Sequence, residues 1–321
     1  MQKELVFTRN RVVAPAEKPA TAASPRPGRL AQWAAFAAAG LLSSLALMAR
    51  AADAPVVLTL LEGEATVIVG SRAFVAVPGA RLGAGALIET DATAALLRLE
   101  WPDGTLLDLG PATRVMLRAS SLPTRGPLFY LLQGWAKQSQ QAVNAGQSSA
   151  VFEVQPFKGV LVSHVDEGQA TLFAEAGSLT FMARRAGAQL SLRAGEAAAM
   201  AGNGAPQILT RPPGPWLKQL PRSFRETLPA RVEKLGKMAP PTPRVRAPLT
   251  YAALQHWLAA EPAVRRDLPL QFADLLQDRS FKDSVVARIT QHPEWEQVLK
   301  PPRAGAGSRK TTETHETEAP R

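Results

Sequence analysis

From Val56 to Thr210 the chain alternates short aliphatic, β-branched runs with glycine-containing breaks. VVLTLLEGEATVIVG breaks at Glu62-Gly63, AFVAVPGARLGAGALIET at Pro78-Gly79 and again over Gly83 to Gly85, and AALLRLEWPDGTLLDLG at Asp103-Gly104. Turn signals recurring about every eight to twelve residues predict an all-β array rather than βαβ units. The expected fold is therefore mainly β: a twisted solenoid-like or sandwich-like array of short antiparallel strands, followed by a small α-helical C-terminal module.

The pattern changes at the Pro-rich step Arg211 to Pro215. WLKQLPRSFRETLPARVEKLG predicts short helices broken by Pro221 and Pro229, and KMAPPTPRVRAP an extended linker. Beyond it, Thr250 is placed as an N-cap, with Leu249, Ala252 or Ala253, Trp257 and Leu258 at helical spacing. Two more helices are expected, one with an apolar stripe of Phe272, Leu275 and Leu276, the other with Phe281, Val285, Ile289 and later Trp295. About 50 residues lie near the lower limit for a self-sufficient core, which makes such a module depend on Trp257 and Trp295.

Length and charge refine this order. The 321 residues suffice for two folded units plus tails. The absence of cysteine removes disulfides, thiolate metal sites and cysteine nucleophiles. Arg26 and Arg29, the apolar run Leu30 to Met48 and Ala49-Arg50-Ala51 follow the order of a secretory signal, cleaved before Ala52. The run is also just long enough to stay as an inner-membrane anchor. In both cases the remainder is expected outside the cytoplasm, in the periplasm. The expected organisation is a basic disordered tail (1–29), the signal or anchor (30–51), the β domain (52–212), a basic Pro-rich connector with short helices (213–248), the helical module (249–302) and a disordered tail (303–321).

The net charge of +10 is concentrated. Lys218, Arg222, Arg225, Arg231, Lys234, Lys237, Arg244 and Arg246 stand against only Glu226 and Glu233 in the same stretch. In an exported protein, Lys218, Arg222, Arg225, Arg231, Lys234 and Lys237 are candidate contacts to an anionic polysaccharide, a lipid surface or an acidic envelope protein, rather than to nucleic acid. The plainer alternative is a solvated helix face and linker.

LEWPDGTLLDLG gathers Glu100, Asp103 and Asp108. Strand alternation assigns Leu97, Leu99 and Trp101 to the core and Arg98 and Glu100 to the surface, with Asp108 outward between Leu107 and Leu109. Pro102, Asp103 and Gly104 suit a tight turn, and too few oxygens follow for a calcium loop. Asp103 and Gly104 are thus expected to be structural.

Around this stretch, Gly85, Ile88 and Thr90, then Asp103, Gly104 and Thr105, then Leu109, Pro111, Thr113 and Val115 resemble the FecR-type periplasmic domain. Leu132, Gly134 and Ala136 are similar to a later strand of that family, and Phe152, Val154, Pro156, Gly177 and Gly195-Glu196 to its last ones. The resemblance covers roughly residues 55 to 212 and implies a β-rich periplasmic scaffold. Val160-Leu161-Val162-Ser163 departs from the family's V-R-G-T stretch. Residues 1 to 29 are too short for the folded anti-sigma module of the iron-citrate sensor, so the resemblance does not imply sigma-factor control.

Chemistry is sparse. His164 lies beside Asp166 and Glu167, but Ser163 and His164 are neighbours in a strand and face opposite sides. In QHPEW, Pro293 stops a helix, His292 is expected to meet its C-terminal carbonyls and Trp295 to pack back, although His292, Glu294 and a distant His256 offer an alternative metal set. No nucleophile elbow, zincin, P-loop or dinucleotide motif is present. The expected function is a non-enzymatic envelope scaffold without a cofactor. The alternatives are an anchored signal relay like the iron-citrate sensor and, behind it, a periplasmic hydrolase.

Overall fold

A computed structural model describes residues 55–119, 126–201 and 204–299. The N-terminal tail, the Leu30 to Met48 run and the 303–321 tail lie outside the described residues. In chain order the strands are β1 (Val56–Glu62), β2 (Ala65–Val69), β3 (Arg72–Val75), β4 (Arg81–Leu82), β5 (Leu87–Thr90), β6 (Leu96–Glu100), β7 (Leu106–Leu109) and β8 (Arg114–Leu117). They continue as β9 (Phe129–Gln140), β10 (Phe152–Val154), β11 (Lys158–Asp166), β12 (Gln169–Ala183), β13 (Ala188–Leu192), β14 (Ala197–Met200) and β15 (Gln207–Leu209).

These strands pair antiparallel in two layers. The first runs β15-β14-β12-β11-β9-β7-β6-β1-β4. The second contains β3-β2-β5-β8 and the first half of β9, and, across a bridge at Ser148, β10, the second half of β12 and β13. Of the two expected architectures, the array is the sandwich. Its core lies between the layers, where Leu97, Leu99, Leu107, Leu109 and Leu161 of the first meet Val67, Ile88, Val115 and Leu131 of the second.

Two long strands belong to both layers and turn the corner at a glycine. In β9 the bend is Gly134, at φ +93°, where a Cβ would collide with Thr113. Thr113 Oγ1 in turn accepts Trp135 N–H at 2.8 Å, while Thr113 N–H donates to Thr90 Oγ1, also at 2.8 Å, and Thr90 Oγ1 donates to the Gly110 carbonyl at 2.6 Å. Gly177 does the same for β12, at φ +79° against the Lys158 carbonyl. Only a residue without Cβ allows both the left-handed conformation and the close approach. Thr90, Thr113 and Gly134, three of the positions behind the FecR-type resemblance, therefore build one joint.

Because the layers face each other through one parity of each strand, the other parity faces outward, and the C-terminal third covers much of it on both layers. On the second layer, Ile68, Ala73, Leu87, Met116 and Tyr130 form one cluster with Leu254, Trp257, Leu258, Val264, Phe272, Phe281, Val285 and Trp295. Those residues come from α3 (Tyr251–Leu258), α4 (Pro262–Arg265), α6 (Arg279–Val286) and the turns between and after them, with α5 (Leu268–Gln271) adding Leu268 and α7 (Glu296–Leu299) closing the chain. Thr250 caps α3 by accepting Ala253 N–H at 3.2 Å. The module's core is not its own: a short helical unit completes it with the outward face of a sheet.

Candidate functional site

The basic stretch crosses the outward face of the first layer as a strap. It consists of α1 (Gly214–Gln219), a 3-10 turn (Arg222–Arg225), α2 (Val232–Gly236) and extended joints at the prolines. Trp216 and Phe224 are buried with Leu96, Trp135 and Val162, and Leu220 and Leu228 pack on the same cluster. Trp135 stacks on His164 at 3.9 Å and meets Trp216 at 5.1 Å. Trp216, Leu220, Phe224, Leu228 and Val232 recur every fourth residue, and that spacing in the sequence is the signal by which a docked strap could be told from a free connector.

Polar groups of the sheet hold the strap by its backbone. Lys137 Nζ donates to the Phe224 carbonyl at 2.6 Å and pairs with Glu175. Arg98 forms a two-bond pair with Asp108, 2.6 and 2.7 Å, and donates a third bond to the Leu228 carbonyl at 3.0 Å. Glu100 Oε2 accepts the N–H groups of Arg231 and Val232, both at 2.8 Å, and thereby caps α2, while Glu100 Oε1 accepts from Thr59. At the far edge, Arg81 Nη2 donates to the carbonyls of Gly236 and Met238. The bond to Asp108 raises the Arg98 pKa above its ordinary value in spite of the burial that opposes it.

This corrects the surface assignment of Arg98, Glu100 and Asp108. They do point away from the sandwich core, but the strap covers them, and they are 4%, 0% and 5% exposed. Alternation along a strand determines the face; whether that face meets water is decided by segments more than a hundred residues away. Residues 237–248 run without helix or strand and are mostly exposed, and near their end Arg244 to Arg246 pair with the free edge of β3, through Val75 N–H to Arg244 O at 2.9 Å and Arg246 N–H to Ala73 O at 2.8 Å. An unpaired edge strand is satisfied by whatever chain passes it.

Lys218, Arg222, Arg225, Arg231, Lys234 and Lys237 are all exposed. Lys237 pairs with Glu233 at 2.8 Å, and Arg225 donates to the Leu217 carbonyl at 3.1 Å. Asp103 and Gly104 form the β6–β7 turn: Asp103 Oδ1 accepts Thr105 N–H at 2.8 Å, Gly104 has φ +84°, and Asn144 donates to both Asp103 and Thr105. Glu100 and Asp108 are engaged elsewhere, so the three acids do not converge.

The histidines are also placed apart. Ser163 is buried and bonded to Gln147, on the opposite face from His164, whose burial lowers its pKa. His256 is exposed on α3. His292 is buried, with Nε2 2.6 Å from Tyr251 Oη, and its pKa is lowered by burial and by Arg265. Its ring thus bonds Tyr251, while its backbone N–H reaches the carbonyls of Arg288 and Ile289. Trp295 packs on Phe281 at 5.7 Å. Among the described residues no group of three or more His, Asp or Glu side chains is placed to hold a metal, and no helix is long and apolar enough to cross a membrane.

No family model matches the chain, and no curated protein matches it. Among solved structures, it is similar to two crystal structures of a "putative anti-sigma factor from Parabacteroides distasonis ATCC 8503", at 2.50 and 1.65 Å resolution. Each has a TM-score of 0.33, with 14% and 13% identity over 38% of this chain. The aligned part spans 57% of those chains, a little over half their length.

Proposed function

We propose that this chain is a non-enzymatic cell-envelope protein of the FecR type, exported to the periplasm, whose β sandwich holds a basic strap in place and presents it to an anionic envelope component. One observation carries the reading: six cations project from a segment whose apolar side chains and backbone groups are tied down on a sheet face. A flexible basic linker would lose conformational freedom on binding, whereas a strap held at Phe224, Leu228, Arg231 and Gly236 has already lost most of it. The joint at Thr90, Thr113 and Gly134 supports the family assignment, because it gives a physical role to the positions that carry the resemblance. The half-buried His164 stacks on Trp135, and the buried His292 bonds Tyr251 through Nε2.

The full chain should co-sediment with isolated envelope fractions at low ionic strength and be released by salt, as expected for exposed charges. Absence of binding at low salt would refute the reading. Sequencing of the mature N-terminus should begin at Ala52; a retained Leu30 to Met48 segment would favour the signal-relay alternative instead.

A further inference from the structure

We infer that the strap is a linear polyanion track, and that the ligand is a single anionic polysaccharide chain lying along it. This rests on the envelope-binding reading above and makes it specific.

The geometry is one-dimensional. Trp216 meets Phe173 on β12 and Trp135 on β9, Phe224 is held by Lys137 on β9, Leu228 and Arg231 by Arg98 and Glu100 on β6, and Gly236 by Arg81 on β4. These strands follow one another in the sheet, with β11 between β12 and β9, β7 between β9 and β6, and β1 between β6 and β4. The strap therefore crosses the layer in one direction over six strand spacings, about 30 Å at the usual interstrand distance. Its inward positions are apolar, so the cations fall on the opposite side along that path, from Lys218 at the β12 end to Lys237 at the β4 end. Glu226 and Glu233 are the acidic residues of the strap, and Glu233 is paired with Lys237.

The side chains that a membrane or a nucleic acid would use are turned away. Trp216 and Phe224, the strap's aromatics, are buried against the sheet, so no ring of the strap is left to stack a base or to enter a lipid interface. Leu217 and Met238 are its exposed large apolar residues, and they stand at opposite ends. What remains outward is a row of charges, and its complement is a row of opposite charges on a chain long enough to follow it.

Binding of the full chain to sodium alginate, a linear polyuronate, and to its size-fractionated oligomers tests this. Affinity should rise with oligomer length until the oligomer spans the strap and then level off. Reversing either end, Lys218→Glu with Arg222→Glu or Lys234→Glu with Lys237→Glu, should weaken the long polymer by roughly tenfold or more and the shortest oligomers much less. All four residues are exposed, so an unchanged unfolding transition shows that these variants fold. Length-independent binding, tighter binding to duplex DNA, or binding to phosphatidylglycerol vesicles that alginate does not compete away would overturn the track. If envelope fractions bind and alginate does not, the track falls and the envelope reading stands; if neither binds, both fall.

Discussion

The two outward faces of the sandwich are covered by consecutive parts of one chain, yet by different physics. On the second layer the cover is apolar: Trp257, Phe272, Phe281 and Trp295 meet Leu87, Met116 and Tyr130, with few polar links such as Trp257 Nε1–H to Glu89 at 2.7 Å. On the first layer, two aromatic anchors are accompanied by buried charges that bind the strap's backbone. Apolar burial contributes in proportion to area and tolerates exchange of one hydrophobic residue for another. Buried charge contributes little net stability while paired and costs much when one partner goes. The helical cover is thus a store of stability, and the strap is a register device, holding its cations at set places.

Single substitutions should separate these two roles. Trp257→Ala should cost about 3–5 kcal/mol in urea unfolding, as large cavities in aromatic cores do. Asp108→Ala should cost a similar amount, about 3–5 kcal/mol, because it strands Arg98 in a dry site. The difference appears on repair: Arg98→Met combined with Asp108→Leu should recover most of the loss, whereas the module offers no comparable second-site rescue. An unrecovered double variant would place more stability in the ion pair than this comparison allows.

Smaller effects should stay on one side. Glu100→Gln weakens two charge-assisted bonds to the start of α2 and should cost about 1–3 kcal/mol. Amide exchange should speed up at Arg231 and Val232 and remain unchanged in α3. Acid should loosen both covers. His164 and His292 have pKa values lowered by the fold, so as pH falls through about 6.5 the unfolded chain takes up protons first and stability declines toward the folded values. His292→Gln should remove the part of this pH dependence seen by exchange in the module, and His164→Gln the part seen under the strap. Asp103→Ala, in a turn outside both covers, should cost on the order of 1 kcal/mol and leave polyanion binding unchanged.

Much of the array was legible as pattern. Gly-marked turns and period-two runs announce strands wherever one face is buried, and Leu97, Leu99, Leu107 and Leu109 meet that rule. Thr250 and the stripe through Phe281 and Val285 announce helices by the same local logic. The basic run from Lys218 to Lys237 was visible as composition, and so were its apolar positions at every fourth residue, but neither says what the run lies on. Alternation, a local rule, gives Arg98, Glu100 and Asp108 their outward face but not their burial, because the segment that covers them is not local.

Neighbours a few residues apart suffice for the class of the fold, the turns, the Thr250 cap and the placing of charge along the chain. The tertiary fold is what lays the connector across a sheet face as a strap and completes the module's core with the back of a sheet. Those outcomes depend on contacts between residues as far apart as Glu100 and Val232, and no period in the chain encodes which unfilled face a distant segment will cover.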